Sequence, residues 1–134
     1  MTEQEQPSRN HPFFSLPGGA FDTPDEDPLL CAKREFLEET GYVSDDWELW
    51  YVFRGTSNVL GQTYFYVARN CRRIQEIIPD GGEKINHIFE LSFDDFLAFA
   101  ENPDFTHWPI IRALFLARIY KEKYDELKDI FSPR

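Results

Sequence analysis

Residues 19–42 read GAFDTPDEDPLLCAKREFLEETGY, and this stretch decides what the rest of the chain must be. Asp27 offers the short acceptor side chain that suits a helix N-cap. Pro28 lacks the N–H that a first helical residue cannot use, and Gly41 suits the left-handed residue that ends a helix. The signals predict a helix over 28–40. At about 100° per residue, Leu29, Ala32, Phe36, Leu37 and Thr40 share one broad arc, with Leu30 at its margin. Glu35, Glu38 and Glu39 share the adjacent arc. They stand at i, i+3 and i+4, so their carboxylates are neighbours.

Three clustered glutamates have two readings. On an exposed face, like charges at this spacing cost a few tenths of a kcal/mol and signify only solvation. In a cleft, at ~5 Å and an effective dielectric of ~20, each pair repels by roughly 3 kcal/mol. Such a cluster must then be protonated or hold a cation. An all-oxygen donor set favours a hard ion, Mg²⁺ or Mn²⁺, over zinc.

The remaining sequence sets bounds. With 134 residues, the chain is expected to form one domain, 1–134, with residues 1–10 disordered. At 42% hydrophobic and 16% aromatic, it has ample material for a core. No apolar run approaches the ~20 residues of a membrane span. The net charge of −10 argues against nucleic acid as a partner. A phosphate-bearing ligand could bind only where cations reverse the local sign. Cys31 and Cys71 have no metal-ligand spacing, which suits reduced thiols in the cytoplasm, and the polar N-terminus lacks a signal-peptide pattern. Strands are expected at 11–16, 47–54, 62–69 and 85–91, the middle two as a hairpin, with a short extended piece at 74–78. A Ser92-capped helix should run to about 101, and a last helix from 106 or 109 to about 127. This mixture argues for an α/β or α+β fold.

The string resembles the signature of the Nudix hydrolases, G-x5-E-x7-R-E-U-x-E-E-x-G-U, where U is bulky and apolar. Glu26, seven residues, then Arg34-Glu35-Phe36-Leu37-Glu38-Glu39-Thr40-Gly41-Tyr42 matches position by position, after Leu16-Pro17-Gly18-Gly19. Six residues rather than five separate Gly19 from Glu26. The resemblance implies an α/β/α sandwich around a mixed sheet. It also implies Mg²⁺-dependent hydrolysis of a nucleoside diphosphate linked to another group. Glu35 and Glu39 would be principal metal ligands and Glu38 a further one. Gly18 could lend a carbonyl, and Arg34 would hold Glu26 or a helix glutamate. The region after the box looks most like the ADP-ribose and sugar-nucleotide branch, in which Glu83 is a candidate general base and Glu76 a weaker one.

Arg54 and Arg69, at the ends of the hairpin strands, are candidate phosphate contacts, although solvation at the surface is the simpler reading. Trp47, Trp50 and Tyr51 could stack on a base, but packing explains them more simply. Family members carry some 30 or more residues before the box, against 18 here, of which about six look strand-like. At least one N-terminal strand is therefore expected to be missing. An uncovered sheet edge invites a second chain, so a homodimer is expected. The same deficit supports a second functional reading, a Nudix-like domain that binds a nucleotide without turnover.

Overall fold

The computed structural model describes residues 1–5, 13–19, 25–54, 61–77 and 84–133. Helix α1 spans Pro28–Thr40, as its end signals predict. Asp27 Oδ1 accepts from the backbone N–H of Leu29 at 2.8 Å and of Leu30 at 3.3 Å. Gly41 has φ 77°, and its N–H closes the last turn onto the Leu37 carbonyl at 2.8 Å. A Cβ at 41 would lie 2.0 Å from the Gln75 carbonyl oxygen. Both the backbone angle and the crowding therefore require glycine.

The strands are β1 (Thr2–Glu5), β2 (Phe13–Ser15), β3 (Tyr42–Val43), β4 (Asp46–Phe53), β5 (Thr63–Arg69), β6 (Arg72–Arg73) and β7 (Lys84–Ile88). Three further helices follow: α2 (Phe93–Ala98), α3 (Trp108–Ile119) and α4 (Lys121–Phe131), with a 3-10 turn at Phe99–Glu101. The strands form three ladders: β2-β1-β7, β3-β6 and β4-β5. Each ladder is antiparallel. Parallel pairing enters through a bridge between Phe14 and Phe105. The mixed α/β architecture fits the expected class.

The N-terminus corrects the sequence reading. Thr2–Glu5 was expected to be disordered, yet it is the central strand of its sheet. Thr2 is 0% exposed and Gln4 4%. Thr2 Oγ1 donates to the Ser15 carbonyl at 3.1 Å, and Gln4 Nε2 donates to Thr2 Oγ1 at 2.7 Å. A strand that buries satisfied polar groups has no apolar alternation to announce it. The front end thus supplies two strands where one was legible.

Two other boundaries moved. The extended piece expected at 74–78 lies instead at Arg72–Arg73, paired with β3. The single last helix is two, because Tyr120 adopts an extended backbone at φ −115°, ψ 122°. The break turns α4 back over the core, burying Leu127 and setting Phe131 against Trp50, Phe93 and Phe96.

The core is built from Leu97, Ala100, Phe105, Ile110, Ile111, Leu114, Ala117 and Leu127. The β4-β5 pair lies between this cluster and α1. Trp47 packs edge-on against Phe36 of α1 at 5.6 Å between ring centroids. A register shift between Leu49 and Tyr51 marks a bulge. From it, Trp50 reaches the opposite layer, 5.5 Å from the Phe131 ring. No helix among the described residues is long and apolar enough to cross a membrane.

Candidate active site

The two caps fix the phase of α1, and the phase places the glutamates. Glu35 and Glu39, one turn apart, are 7% and 4% exposed, while Glu38 is half-buried. The solvated-face reading fails for the first two, because buried like charges need compensation.

Arg34 is the hub of that compensation. Its Nη1 donates to Glu35 Oε1 at 2.8 Å and lies 3.8 Å from Glu38 Oε2. Its Nε and Nη2 reach Glu26 at 3.2–3.3 Å. The planar guanidinium thus ties the end of the acidic loop to the helix glutamates, a task suited to a fork of donors. Arg34, expected to hold Glu26 or a helix glutamate, is paired with both Glu26 and Glu35.

The Pro-Gly-Gly segment closes the other side. Gly18 N–H donates to Glu39 Oε2 at 2.6 Å. The described contact of Gly18 with the acidic cluster is therefore its N–H, where a carbonyl ligand was expected. At Gly19 a Cβ would meet the Glu35 carboxyl carbon at 2.5 Å and its oxygens at 2.6 and 2.8 Å. The missing side chain at 19 is what makes room for the Glu35 carboxylate. Nearby, the buried Cys31 sulfur lies 3.9 Å from the Gly19 carbonyl oxygen and 3.7 Å from Arg34 Nη2.

A hard divalent ion suits this donor chemistry: three carboxylates on one helical turn, two of them buried, with a glycine cradle around one. Arg34 and the Gly18 N–H are the described partners of these carboxylates. Among the described residues no group of three or more His, Cys, Asp or Glu side chains is gathered into a metal cage.

Other candidate residues fall elsewhere. Arg69 is buried and not solvated at the surface. Its guanidinium donates to the Ile130 carbonyl and to Glu48, and to Asp46 Oδ1 at 3.3 Å. It fastens the hairpin to the end of α4, so it is committed to structure and is unsuited to the substrate contact assigned from sequence. Arg54 is exposed just beyond β4. Glu76 is exposed and paired with Arg73 at 2.9 Å. Glu83 lies outside the described residues. Trp47 and Trp50 are packing residues, as expected, and the Trp47 indole N–H donates to the Ser44 carbonyl at 2.9 Å.

Sequence reading missed the wall beside α1. A cavity of about 710 Å³ borders Gly18, Gly19, Ala32, Phe36 and β5. Tyr66, on that wall, has its phenol pKa raised, first by burial and then by the negative charge of Asp27 and by Tyr64. Hairpin pairing and aromatic content were legible; that β5 borders open space depends on how separate sheets sit.

No curated protein matches the chain at a significant level. A family model described as NUDIX domain matches residues 1–114, most of the chain and all of the acidic box. Together with the capped acidic helix, the Arg34 hub and the Gly18-Gly19 cradle, that match places this chain in the Nudix family.

Proposed function

We propose that the chain is a divalent-metal-dependent hydrolase of a nucleoside diphosphate linked to another group, of the ADP-ribose or sugar-nucleotide class. The family is one of hydrolases of nucleoside diphosphate derivatives that generally use an ion such as Mg²⁺. The observation that carries the reading is the burial of Glu35 and Glu39 one turn apart beside a glycine that a side chain would fill. Buried carboxylates in that setting are better explained by cation binding than by solvation.

Glu35, Glu38 and Glu39 would hold the ion, which when bound neutralises diphosphate charge and lowers the pKa of water. Arg34 keeps Glu35 and Glu26 in fixed positions, and Gly18 N–H orients Glu39. Water oxygen bonds to one phosphorus as the anhydride P–O bond breaks. The products are a nucleoside monophosphate and a phosphorylated partner. Glu38, half-buried and facing solvent more than its neighbours, is the described candidate to take the proton. Glu83 is the alternative base, and Arg54 is a candidate phosphate contact.

The test is product release from a panel of ADP-ribose, sugar nucleotides, dinucleotides and nucleoside triphosphates, with Mg²⁺ or Mn²⁺, for the wild type and Glu39→Gln. Turnover confined to the wild type supports the proposal, and equal rates remove the role of Glu39. A second reading is a nucleotide-binding domain without turnover, in which Arg34 and Gly18 are the standing partners of Glu35 and Glu39. Saturable binding with no hydrolysis by any metal–substrate pair would select it. A homodimer is a further proposal. Among the described residues β4 has a ladder partner on one side alone, and it carries Leu49 and Tyr51, 49% and 41% exposed. A monomer by light scattering at micromolar concentration would count against it.

A further inference from the structure

The cap of α3 is unusual. A residue at a helix N-cap commonly spends its side chain on the free N–H groups of its own helix. His107 holds that position and makes no such side-chain bond. Its backbone carbonyl accepts from the Ile111 N–H at 2.9 Å, and its ring lies 5.4 Å from that of Phe105, a core residue 2% exposed. From this anchored position Nε2 lies 2.9 Å from Ser15 Oγ, 92 residues earlier in the chain.

Ser15 sets the polarity of that contact. Its hydroxyl donates to the Leu16 carbonyl at 3.0 Å. A hydroxyl has one proton to give, so toward the imidazole it is the acceptor, and His107 Nε2–H is the donor. Two bonds in series therefore hold the Leu16 carbonyl to the start of α3. Backbone contacts set the same two segments side by side: Phe14 N–H donates to the Asp104 carbonyl at 3.0 Å, and Phe14 bridges Phe105.

After Ser15 the chain enters the glycine run of the acidic site. Leu16 and Pro17 have no polar side-chain atom, so Ser15 is the last residue before Gly18 whose side chain a hydrogen bond can hold. Three residues span at most about 11 Å, and Pro17 fixes its own φ. At the far end Gly18 N–H donates to Glu39 Oε2 at 2.6 Å, and Gly19 stands against the Glu35 carboxylate. Both glycines are exposed and have no side chain to pack, so their place is set through the chain on either side.

We propose that His107 is a positioning residue of the acidic site. Through Ser15 it fixes the run from Leu16 to Gly19, and with it the approach of Gly18 N–H to Glu39 and of Gly19 to Glu35. The effect on turnover rests on the hydrolase reading above; the effect on the Gly18 amide does not.

The test uses the full chain with three variants. His107→Phe keeps a ring against Phe105 and removes the donor, His107→Gln supplies an N–H at similar reach, and Ser15→Ala removes the acceptor. Amide hydrogen exchange at Gly18 should be at least tenfold faster in His107→Phe and in Ser15→Ala, while the amides of α1 stay within twofold of the wild type. His107→Gln should bring Gly18 back to within about threefold. The double variant of Ser15→Ala and His107→Phe should be no faster than either single one, because both changes break one tie. With a substrate that the wild type turns over, kcat should fall about tenfold in His107→Phe at a KM within twofold, and recover in His107→Gln. Equal acceleration across α1 would make the tie a matter of global stability and overturn the proposal. So would an unchanged Gly18 amide, additive effects in the double variant, or wild-type kcat alongside fast Gly18 exchange. A wild type without turnover would defeat the hydrolase reading instead, and the Gly18 amide would then decide for or against His107.

Discussion

Replacing Gly19 by alanine tests the cradle, with a control one residue away. A Cβ at 19 would sit 2.5–2.8 Å from the three carboxylate atoms of Glu35, whereas one at 18 meets nothing within 4 Å. Neither residue has a φ in the left-handed range, so the comparison isolates the contact. Ordinary contact begins at about 3.4 Å, so the carboxylate must retreat by roughly 0.6–0.9 Å. Retreat strains or breaks its 2.8 Å bond to Arg34 Nη1. A bond to a charged group is worth about 1.5–3 kcal/mol. The Arg34 side chain is 26% exposed, so water recovers part of this, leaving about 1 kcal/mol lost. The effect on catalysis is larger, since a misplacement of ~1 Å costs about 100-fold. Denaturant unfolding and steady-state hydrolysis should therefore show Gly19→Ala about 1 kcal/mol less stable and about 100-fold slower. Gly18→Ala should match the wild type in both. The Glu35→Ala background should erase the stability difference between glycine and alanine at 19. Equal activity of the two alanine variants would refute the claim that the absent side chain at 19 positions Glu35.

Three further outcomes follow from named contacts. Gly41→Ala should cost more than about 2 kcal/mol in denaturant unfolding, because it adds left-handed strain to a clash with the Gln75 carbonyl. A loss under about 0.5 kcal/mol would contradict the C-cap description. Arg69→Met should lower the unfolding midpoint while leaving KM for any substrate unchanged. A raised KM at unaltered stability would restore the substrate role assigned from sequence. Tyr66 should titrate above the ordinary phenol value of 10.0 in an ultraviolet difference titration against Tyr66→Phe. Because folding raises that pKa, its share of stability is full below pH 10.0 and is lost as pH climbs through the raised value. Titration at or below 10.0 would contradict the burial of its hydroxyl.

What was legible in the sequence was local. Asp27, Pro28 and Gly41 spelled the helix by mechanism, and the helix period then put Glu35, Glu38 and Glu39 together. The link from Arg34 to Glu26 across the loop came only through the family resemblance. The illegible parts depend on tertiary context. Thr2 and Gln4 are buried through hydrogen bonds to each other and to Ser15, so Thr2–Glu5 has the composition of a tail and the position of a central strand. Tyr120 breaks a continuous helical pattern because the core needs Leu127 and Phe131 folded back onto it. Arg69 reads like a solvated strand end, but the carbonyl of Ile130, 61 residues away, captures it.

The most direct test of the central claim is calorimetric titration of Mn²⁺ into the wild type, Glu35→Gln and Glu39→Gln, with unchanged circular dichroism as the control for folding. The account predicts saturable binding to the wild type and affinity at least tenfold weaker in each variant. Equal binding by all three proteins, or none by the wild type, would contradict it.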